Sequence, residues 1–257
     1  MKKTLFVTAG FAALSFAPAL AADLAPRGYT KAPPAYVTPI PSWAGFYIGL
    51  NGGGDWSRDC WTLNKVSGAA VAARGEGCHN ATSGMVGGQV GYRWQAANWV
   101  FGVEAQGDWT DLKASNTSTV VSTVNNNTKT DAIGLFTGQV GYAWNNVLWY
   151  VKGGAALTHD KYNGTANAAS PFATGSVLDS ASETRWGGTV GAGVEYGFAP
   201  NWSVAAEYDH LFMGTRDIAF PANPGVLLSR TDSIKQDIDM ATVRVNYRFG
   251  NPAVARY

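Results

Sequence analysis

Hydrophobic and polar residues alternate one by one along much of this chain, and no stretch after the N-terminal segment holds 18 consecutive apolar residues. Between Trp99 and Trp109, for example, apolar side chains recur at every second position, while Glu104 and Asp108 share the other face. A period of two is typical of a β-strand whose faces meet different surroundings. Without an apolar helix, such a chain can enter a membrane only as a closed barrel, because lipid cannot satisfy a free sheet edge.

Eight segments alternate in this way, and their apolar faces carry no charge in the middle. They are 46–56, 85–94, 99–109, 136–144, 147–158, 186–198, 202–209 and 241–249. Three connections are tight turns marked by Asn98, Asn145-Asn146 and Pro200-Asn201. The others, at about 58–80, 113–130, 162–182 and 217–235, are rich in Gly, Ser, Thr and Asn. The pattern predicts an all-β fold, an eight-stranded antiparallel up-and-down transmembrane β-barrel with short periplasmic turns and long extracellular loops.

Aromatic residues cluster beside the short turns, as expected for rings at the depth of the lipid headgroups. They are Tyr92, Trp94, Trp99, Phe101, Tyr142, Trp144, Trp149, Tyr196, Phe198, Trp202, Tyr247 and Phe249. A thinner second girdle near the long connections comprises Trp56, Trp109, Trp186, Tyr208 and Phe212. The alternative is a soluble lipocalin-like barrel with the apolar residues inside. A soluble barrel would not explain why the aromatic residues form bands beside the turns.

The amino-acid composition further limits the class of protein that this chain can belong to. Charged residues make up 14% of the chain, and the 31 glycines and 12% aromatic residues disfavour a helical protein. A formal charge of +1 gives no electrostatic reason to expect a nucleic-acid partner. Two cysteines are too few for a disulfide-dense scaffold or a four-thiolate zinc site.

The N-terminal residues have the layout of a secretory signal. Lys2 and Lys3 precede an apolar run, and Ala19-Leu-Ala-Ala offers a cleavage site after Ala21 or Ala22. An uncleaved anchor helix is the alternative interpretation. The sequence therefore predicts a signal peptide at 1–22, a Pro-rich periplasmic linker at 23–42, a barrel at 43–249 and a short tail at 250–257.

Three motifs resemble those of alphaproteobacterial small outer-membrane β-barrel proteins, which are OmpA-like and labelled porin family or outer-membrane immunogenic protein. They are Trp43-Ala-Gly-Phe-Tyr-Ile-Gly-Leu-Asn-Gly-Gly-Gly, Gly-Gln-Val-Gly-Tyr at 88–92 and 138–142, and Val243-Arg-Val-Asn-Tyr-Arg-Phe249. The resemblance implies a surface-exposed, antigenic protein that contributes to outer-membrane integrity in a Gram-negative bacterium. It implies outer-membrane lipid, lipopolysaccharide and the barrel-assembly machinery as partners, with host or surface ligands as candidates at the loops.

The C-terminus departs from that family pattern, in which chains typically end on the phenylalanine of the last strand. Here eight residues follow Phe249. Either assembly tolerates an internal strand signal, or Tyr257 takes part in it. The sequence shows no peptidoglycan-binding domain, so no wall tether is expected.

The inward face of the predicted barrel is rich in charge, and eight strands enclose only enough space for side chains. The inward charged residues are Asp55, Arg93, Glu104, Asp108, Lys152, Glu195, Glu207, Asp209, Arg244 and Arg248. Counted from the short turns, one group lies low (Arg93, Glu195, Arg248) and another near mid-height (Glu104, Lys152, Glu207, Arg244). Opposite charges at one depth should pair, because a lone buried charge is costly. We expect interior packing that closes the lumen; a gate for water and small ions is the alternative function.

Catalysis and cofactor binding have little support in the sequence. The three histidines are His79, His159 and His210, and Asp209-His210 is an acid–base neighbour pair. Adjacent strand residues point to opposite faces, so these two cannot form a dyad with each other. A Ser–His–acid site assembled from different strands stays open as an alternative. The three histidines fit solvated positions better than they fit the role of haem or metal ligands. We therefore expect neither an enzyme nor a cofactor.

Cys60 and Cys78 both fall in the first long connection. In an oxidising compartment they should form a disulfide, and closing a loop of that size restricts the unfolded chain by about 3 kcal/mol in the entropy model. A metal or redox role is the weaker alternative.

Overall fold

Eight long strands form the described part of the protein, which in this computed structural model comprises residues 42–221, 223 and 228–249. The strands are β1 Gly45–Val66, β2 Ala69–Ala96, β3 Trp99–Thr117, β4 Val124–Trp144, β5 Val147–Ala166, β6 Val177–Ala199, β7 Trp202–Phe220 and β8 Arg230–Phe249. Each pairs antiparallel with its chain neighbour, and β1 pairs with β8 to close the ring. The predicted up-and-down barrel of eight strands is confirmed. The predicted signal peptide, the linker up to residue 41 and the tail lie outside the described residues.

Helical spans are not part of this architecture: within the described ranges, no helix is long and apolar enough to cross a membrane.

The three predicted tight turns join strands at one end of the barrel, at 97–98, 145–146 and 200–201. Asn145 adopts a positive φ of 55°, which asparagine tolerates better than most residues, and Ala97 has a φ of 52°. These two turns reverse the chain over only two residues.

The connections at the opposite end differ from the sequence expectation. They run far beyond the membrane segments, as predicted, but most of their residues are paired strand rather than irregular loop. The first one turns at Ser67 and Gly68 alone. The strands are 19 to 28 residues long, whereas about 9–11 residues cross a bilayer. Gly, Ser, Thr and Asn suggested loops, but cross-strand pairing satisfies their backbone groups equally well.

The outer part of the wall is divided into two sheets. Pairing between β2 and β3 stops at Met85–Thr110, and pairing between β6 and β7 stops at Gly188–Phe212. The other six pairings continue upward. Above the closed ring, the described residues therefore form one sheet of β7, β8, β1 and β2 and a second of β3, β4, β5 and β6.

The outer face of the ring is apolar and carries both aromatic girdles. The aromatic side chains of the two predicted girdles are exposed, with between 40% and 70% of their surface accessible, apart from the half-buried Tyr247. The charged residues of the predicted inward face are buried, apart from the half-buried Arg248. The two-face interpretation of the alternation is confirmed.

Candidate functional site

The centre of the lumen holds a compact layer of ion pairs, which we call the ionic layer: Glu104, Lys152, Glu207, Asp209 and Arg244. The Nζ of Lys152 lies 2.6 Å from Glu207 and 3.4 Å from both Glu104 and Asp209. The guanidinium of Arg244 lies 2.7 Å from Glu104 and also contacts Glu207. Four strands thus meet at the barrel axis, and each cation is shared between carboxylates.

Two tyrosines outside the predicted charge network complete the ionic layer. The hydroxyl of Tyr47 donates to Glu104 at 2.5 Å, and that of Tyr150 donates to Glu207 at 2.6 Å. Each tyrosine precedes its glutamate by 57 residues, so the two halves of the barrel repeat the same arrangement. The position of Tyr47 between the outward residues Phe46 and Ile48 was the signal that could have identified it.

Below the ionic layer, toward the short turns, Arg93 forms a fully buried pair with Glu195 at 2.8 Å. Ser203 donates to the other oxygen of Glu195. The guanidinium of Arg93 also stacks over the ring of Tyr47, 4.3 Å from its centroid. This pair is therefore continuous with the layer above.

Arg248 is not part of these ion pairs, although its predicted depth grouped it with Arg93 and Glu195. It donates to the carbonyl of Pro200 at 3.1 Å and lies over Trp43, 5.4 Å from the ring centroid. Trp43 is fully buried and packs with Val100, Ala143, Leu148 and Tyr150. The short-turn end of the lumen is therefore packed with apolar side chains, which the sequence analysis did not anticipate.

A second apolar layer lies above the ionic layer and was also missed. Its buried members are Ala81, Met85, Leu112, Ile133, Leu135, Ala156, Leu211, Met213, Ile238 and Met240. Met240 pairs in register with both Asp55 and Asp209, which places it directly next to the carboxylates. The ionic layer and the Arg93–Glu195 pair below it thus lie between two clusters of apolar side chains.

Farther up, one arginine binds acidic residues of both outer sheets. Arg230 on β8 binds Asp179 on β6 at 2.8 Å, Glu76 on β2 at 3.0 Å and its neighbour Asp232 at 3.1 Å. It lies over an aromatic cluster, 4.6 Å from the centroid of Phe220. We call this group the upper clasp. All of it falls in segments that the sequence analysis interpreted as loops.

The upper clasp holds more carboxylates than cations, and this affects their protonation. Burial raises the pKa of Asp232 to about 7; the charge of Arg230 opposes this shift, while Glu76 and Asp179 add to it. The same acids raise the pKa of Arg230 against the effect of its burial. Near neutral pH the clasp therefore changes its proton occupancy.

Cys60 and Cys78 face each other across the β1–β2 hairpin and form a disulfide. The expected bridge is present, although it joins two paired strands rather than the ends of a loop. Beside it, His79 points inward, 2.8 Å from Asn116 and 2.9 Å from Thr128, and burial lowers its pKa.

The other two histidines face outward. His159 lies 3.5 Å from Thr184, and His210 lies 2.6 Å from Asp239. Asp239 also accepts a hydrogen bond from Tyr208. Asp209 points inward, so the neighbour pair is split between the faces as its spacing predicted. Within the described chain, no group of three or more His, Cys, Asp or Glu side chains could hold a metal ion.

Comparison with known proteins agrees with this architecture. A family model described as an outer membrane protein beta-barrel domain matches residues 7–249. The chain is 30% identical to the 31 kDa outer-membrane immunogenic protein of Brucella melitensis, covering 95% of this chain and 98% of that protein. It is 31% identical to the 22 kDa outer membrane protein of Rhizobium leguminosarum bv. viciae, over 71% and 70% of the two chains.

Among solved structures, the outer membrane protein OprG of Pseudomonas aeruginosa shares the fold with a TM-score of 0.54. The alignment covers 80% of this chain and 97% of OprG at 14% identity.

Proposed function

This chain belongs to the outer membrane protein β-barrel family, and from that premise we propose that it acts as a closed structural barrel whose outer part interacts with surfaces outside the cell. It contributes to the integrity of the outer membrane, and its lumen does not conduct. It has neither catalytic activity nor a cofactor, and nucleic acid is not among its partners.

The apolar layer above the ionic layer carries this proposal. Buried ion pairs alone leave a path that water and ions can follow once a pair separates, whereas an apolar constriction excludes water. Leu135 and Leu211 are fully buried in that layer, and Trp43 is fully buried below the ion pairs. Opening the lumen would therefore require repacking of two apolar layers as well as the loss of ion pairs.

A narrow pore gated by the ionic layer is the second candidate function, since Lys152 and Arg244 each lie between carboxylates that could exchange partners. Planar-bilayer conductance separates the two. We expect no steady openings from the wild type or from Glu104→Ala and Arg244→Ala. Openings that change in those two variants would instead establish the pore.

A second set of variants tests the apolar seal itself. Leu135→Ala combined with Leu211→Ala removes inward volume from the seal, and we expect intermittent conductance. Val103→Ala combined with Val140→Ala removes a similar volume from the exposed outer face, and we expect silence. If both pairs behave alike, the apolar layer does not close the lumen.

Export and placement complete the proposal. A signal peptide at 1–22 is cleaved, residues 23–42 form a periplasmic linker, and the barrel-assembly machinery inserts the chain with its short turns in the periplasm. The long strand ends then meet lipopolysaccharide and, beyond it, host or environmental ligands. Mass spectrometry of the purified protein should show a mature N-terminus at Ala22 or Asp23. Electrophoresis with and without boiling should show heat-modifiable mobility.

A further inference from the structure

Three lysines lie side by side on the outer face of the wall. Lys113 on β3 pairs in register with Lys129 on β4, which pairs in register with Lys161 on β5. Their inward neighbours are buried or, for Ala114, partly buried, and the lysine side chains are 58%, 38% and 50% exposed. We call these residues the lysine row. Like charges directly opposite each other across a sheet are destabilising, so a bound anion would stabilise this arrangement.

Two aspartates meet only part of that need. Asp111 contacts Lys113 at 2.6 Å and Lys129 at 3.1 Å, and Asp131 contacts Lys161 at 2.5 Å. Three cations against two carboxylates leave one positive charge. Each ammonium group has three donors, so donors remain free for a further acceptor.

The lysine row lies just above the upper aromatic girdle, within reach of the lipid headgroups. Lys113 follows Trp109 of the upper aromatic girdle by four residues, and Lys161 follows the outward Leu157 by four. Four residues of a tilted strand rise by about 10 Å. Aromatic girdles mark the headgroup level, and lysine side chains can bend toward a charged layer while their stems stay on the wall.

A polar groove adjoins the row. It has a volume of about 450 Å³ and is lined by Lys113, Ser115, Asn127, Lys129, Asn163 and Thr165, together with Ala114 and Thr128. Amide and hydroxyl groups beside ammonium groups suit a sugar that carries phosphate.

Protection of an unpaired edge does not explain the row. Charged residues commonly guard sheet edges, and Lys113 does lie where β3 has no partner in β2. Lys129 and Lys161, however, are on strands that are paired on both sides. Elsewhere on the wall the pattern differs: Lys235 is bound to Asp237, and Asp237 pairs in register with Arg58.

We propose that the lysine row and its groove form a binding site for the phosphorylated headgroup of an outer-leaflet glycolipid. The inference rests on the proposed orientation, in which the long strand ends face outward from the cell. It adds a defined site on the wall to the general contact with lipid. The headgroup phosphate lies between the lysines, and the sugar occupies the polar groove.

The test is native mass spectrometry of the full-length mature protein in detergent, titrated with bisphosphorylated lipid A. Replacing Lys113, Lys129 and Lys161 together by alanine should weaken binding by about 10- to 100-fold. Lys235→Ala removes an exposed lysine that lies outside the row and should change binding less than twofold. Replacing the three lysines by arginine should preserve binding, and lipid A without phosphate should bind the wild type weakly.

Three outcomes would overturn the proposal: wild-type affinity in the triple alanine variant, an equal loss in Lys235→Ala, or saturation of the site by inorganic phosphate alone. The last outcome would assign the site to free phosphate. Heat-modifiable mobility is measured on every variant. A triple alanine variant that keeps this mobility but binds lipid A normally contradicts the lysine site alone, whereas absence of heat-modifiable mobility in the wild type contradicts the barrel function.

Discussion

Tyr47 donates a 2.5 Å hydrogen bond to Glu104 while its ring lies directly over Gly91 on the neighbouring strand. The second half of the barrel repeats this, with Tyr150 bound to Glu207 and lying over Gly193. Because Gly91 on β2 and Gly193 on β6 have no side chains, Tyr47 and Tyr150 can lie flat against these strands and reach the ionic layer.

Gly91→Ala should destabilise the barrel through this contact. The added Cβ would lie 2.5 Å from the phenol ring of Tyr47, so the ring must move away from Glu104. We expect a loss of about 1–3 kcal/mol in urea unfolding followed by gel mobility. Gly107→Ala is the matched control, because its Cβ would meet nothing within 4 Å. Equal stability of the two variants would contradict the role assigned to Gly91.

Glu207→Gln should be among the most damaging single changes. Glu207 binds Lys152 at 2.6 Å and Tyr150 at 2.6 Å, and it also contacts Arg244. Neutralising it leaves two buried cations with one carboxylate fewer, which costs about 3–5 kcal/mol. The same unfolding assay checks this, with Asp237→Asn, which neutralises an outward carboxylate, as control. A loss no greater than that of the control would show that the ionic layer does not depend on this charge.

Removal of the disulfide should have a local effect. With Cys60→Ser and Cys78→Ser combined, we expect faster hydrogen exchange in residues 61–77, because the outer end of β2 pairs only with β1. The entropy model sets the loss at about 3 kcal/mol. Exchange in the membrane segments and heat-modifiable mobility should stay unchanged. Labelling of both thiols in the wild type without reductant would refute the bridge.

The upper clasp should loosen as pH rises. Asp232 has a pKa of about 7 in the folded protein, against about 4 in an unfolded chain. Between these values the folded state binds more protons, so this residue's contribution to stability falls from pH 4 to pH 7 and stays low above it. Protection from hydrogen exchange near Arg230, measured relative to the intrinsic exchange rate at each pH, should therefore be lower at pH 8 than at pH 5.

Asp232→Asn should remove that pH dependence and slow exchange at pH 8. Glu76 and Asp179 stay to pair with Arg230 in this variant. Asp237→Asn, which changes an outward carboxylate near Lys235, serves as control and should leave the pH profile as it is in the wild type. A profile that is flat in the wild type would contradict the protonation of Asp232.

The ring could be predicted from sequence because its two faces meet opposite surroundings. On β5, for example, Trp149 must face the lipid and Lys152 must face the lumen, so the direction of each side chain is clear. The turn at Asn145 then determines how β4 and β5 pair. Above the membrane the two faces of a strand differ less in polarity, because both can be polar. Asn126 is buried beside Glu76 and Lys129 is exposed, yet their segment reads as a uniformly polar loop.

The lumen was predictable only in its charges. Glu104 and Arg244 could be assigned to the same depth because charge is costly to bury alone. Met240 and Leu211 lie just outside the predicted segments 202–209 and 241–249, so their inward direction follows only when the alternation is extended beyond those segments. Trp43 precedes β1, so strand periodicity gives no direction for its side chain.

The division of the outer wall into two sheets limits how far damage can spread. A protease, an antibody or a change of pH could separate the two sheets only down to the residue pairs Met85–Thr110 and Gly188–Phe212, where β2–β3 and β6–β7 pairing begins. Below those pairs every strand is hydrogen-bonded to two neighbours, so the separation ends there. Separation of the two outer sheets therefore leaves the closed ring of eight strands intact.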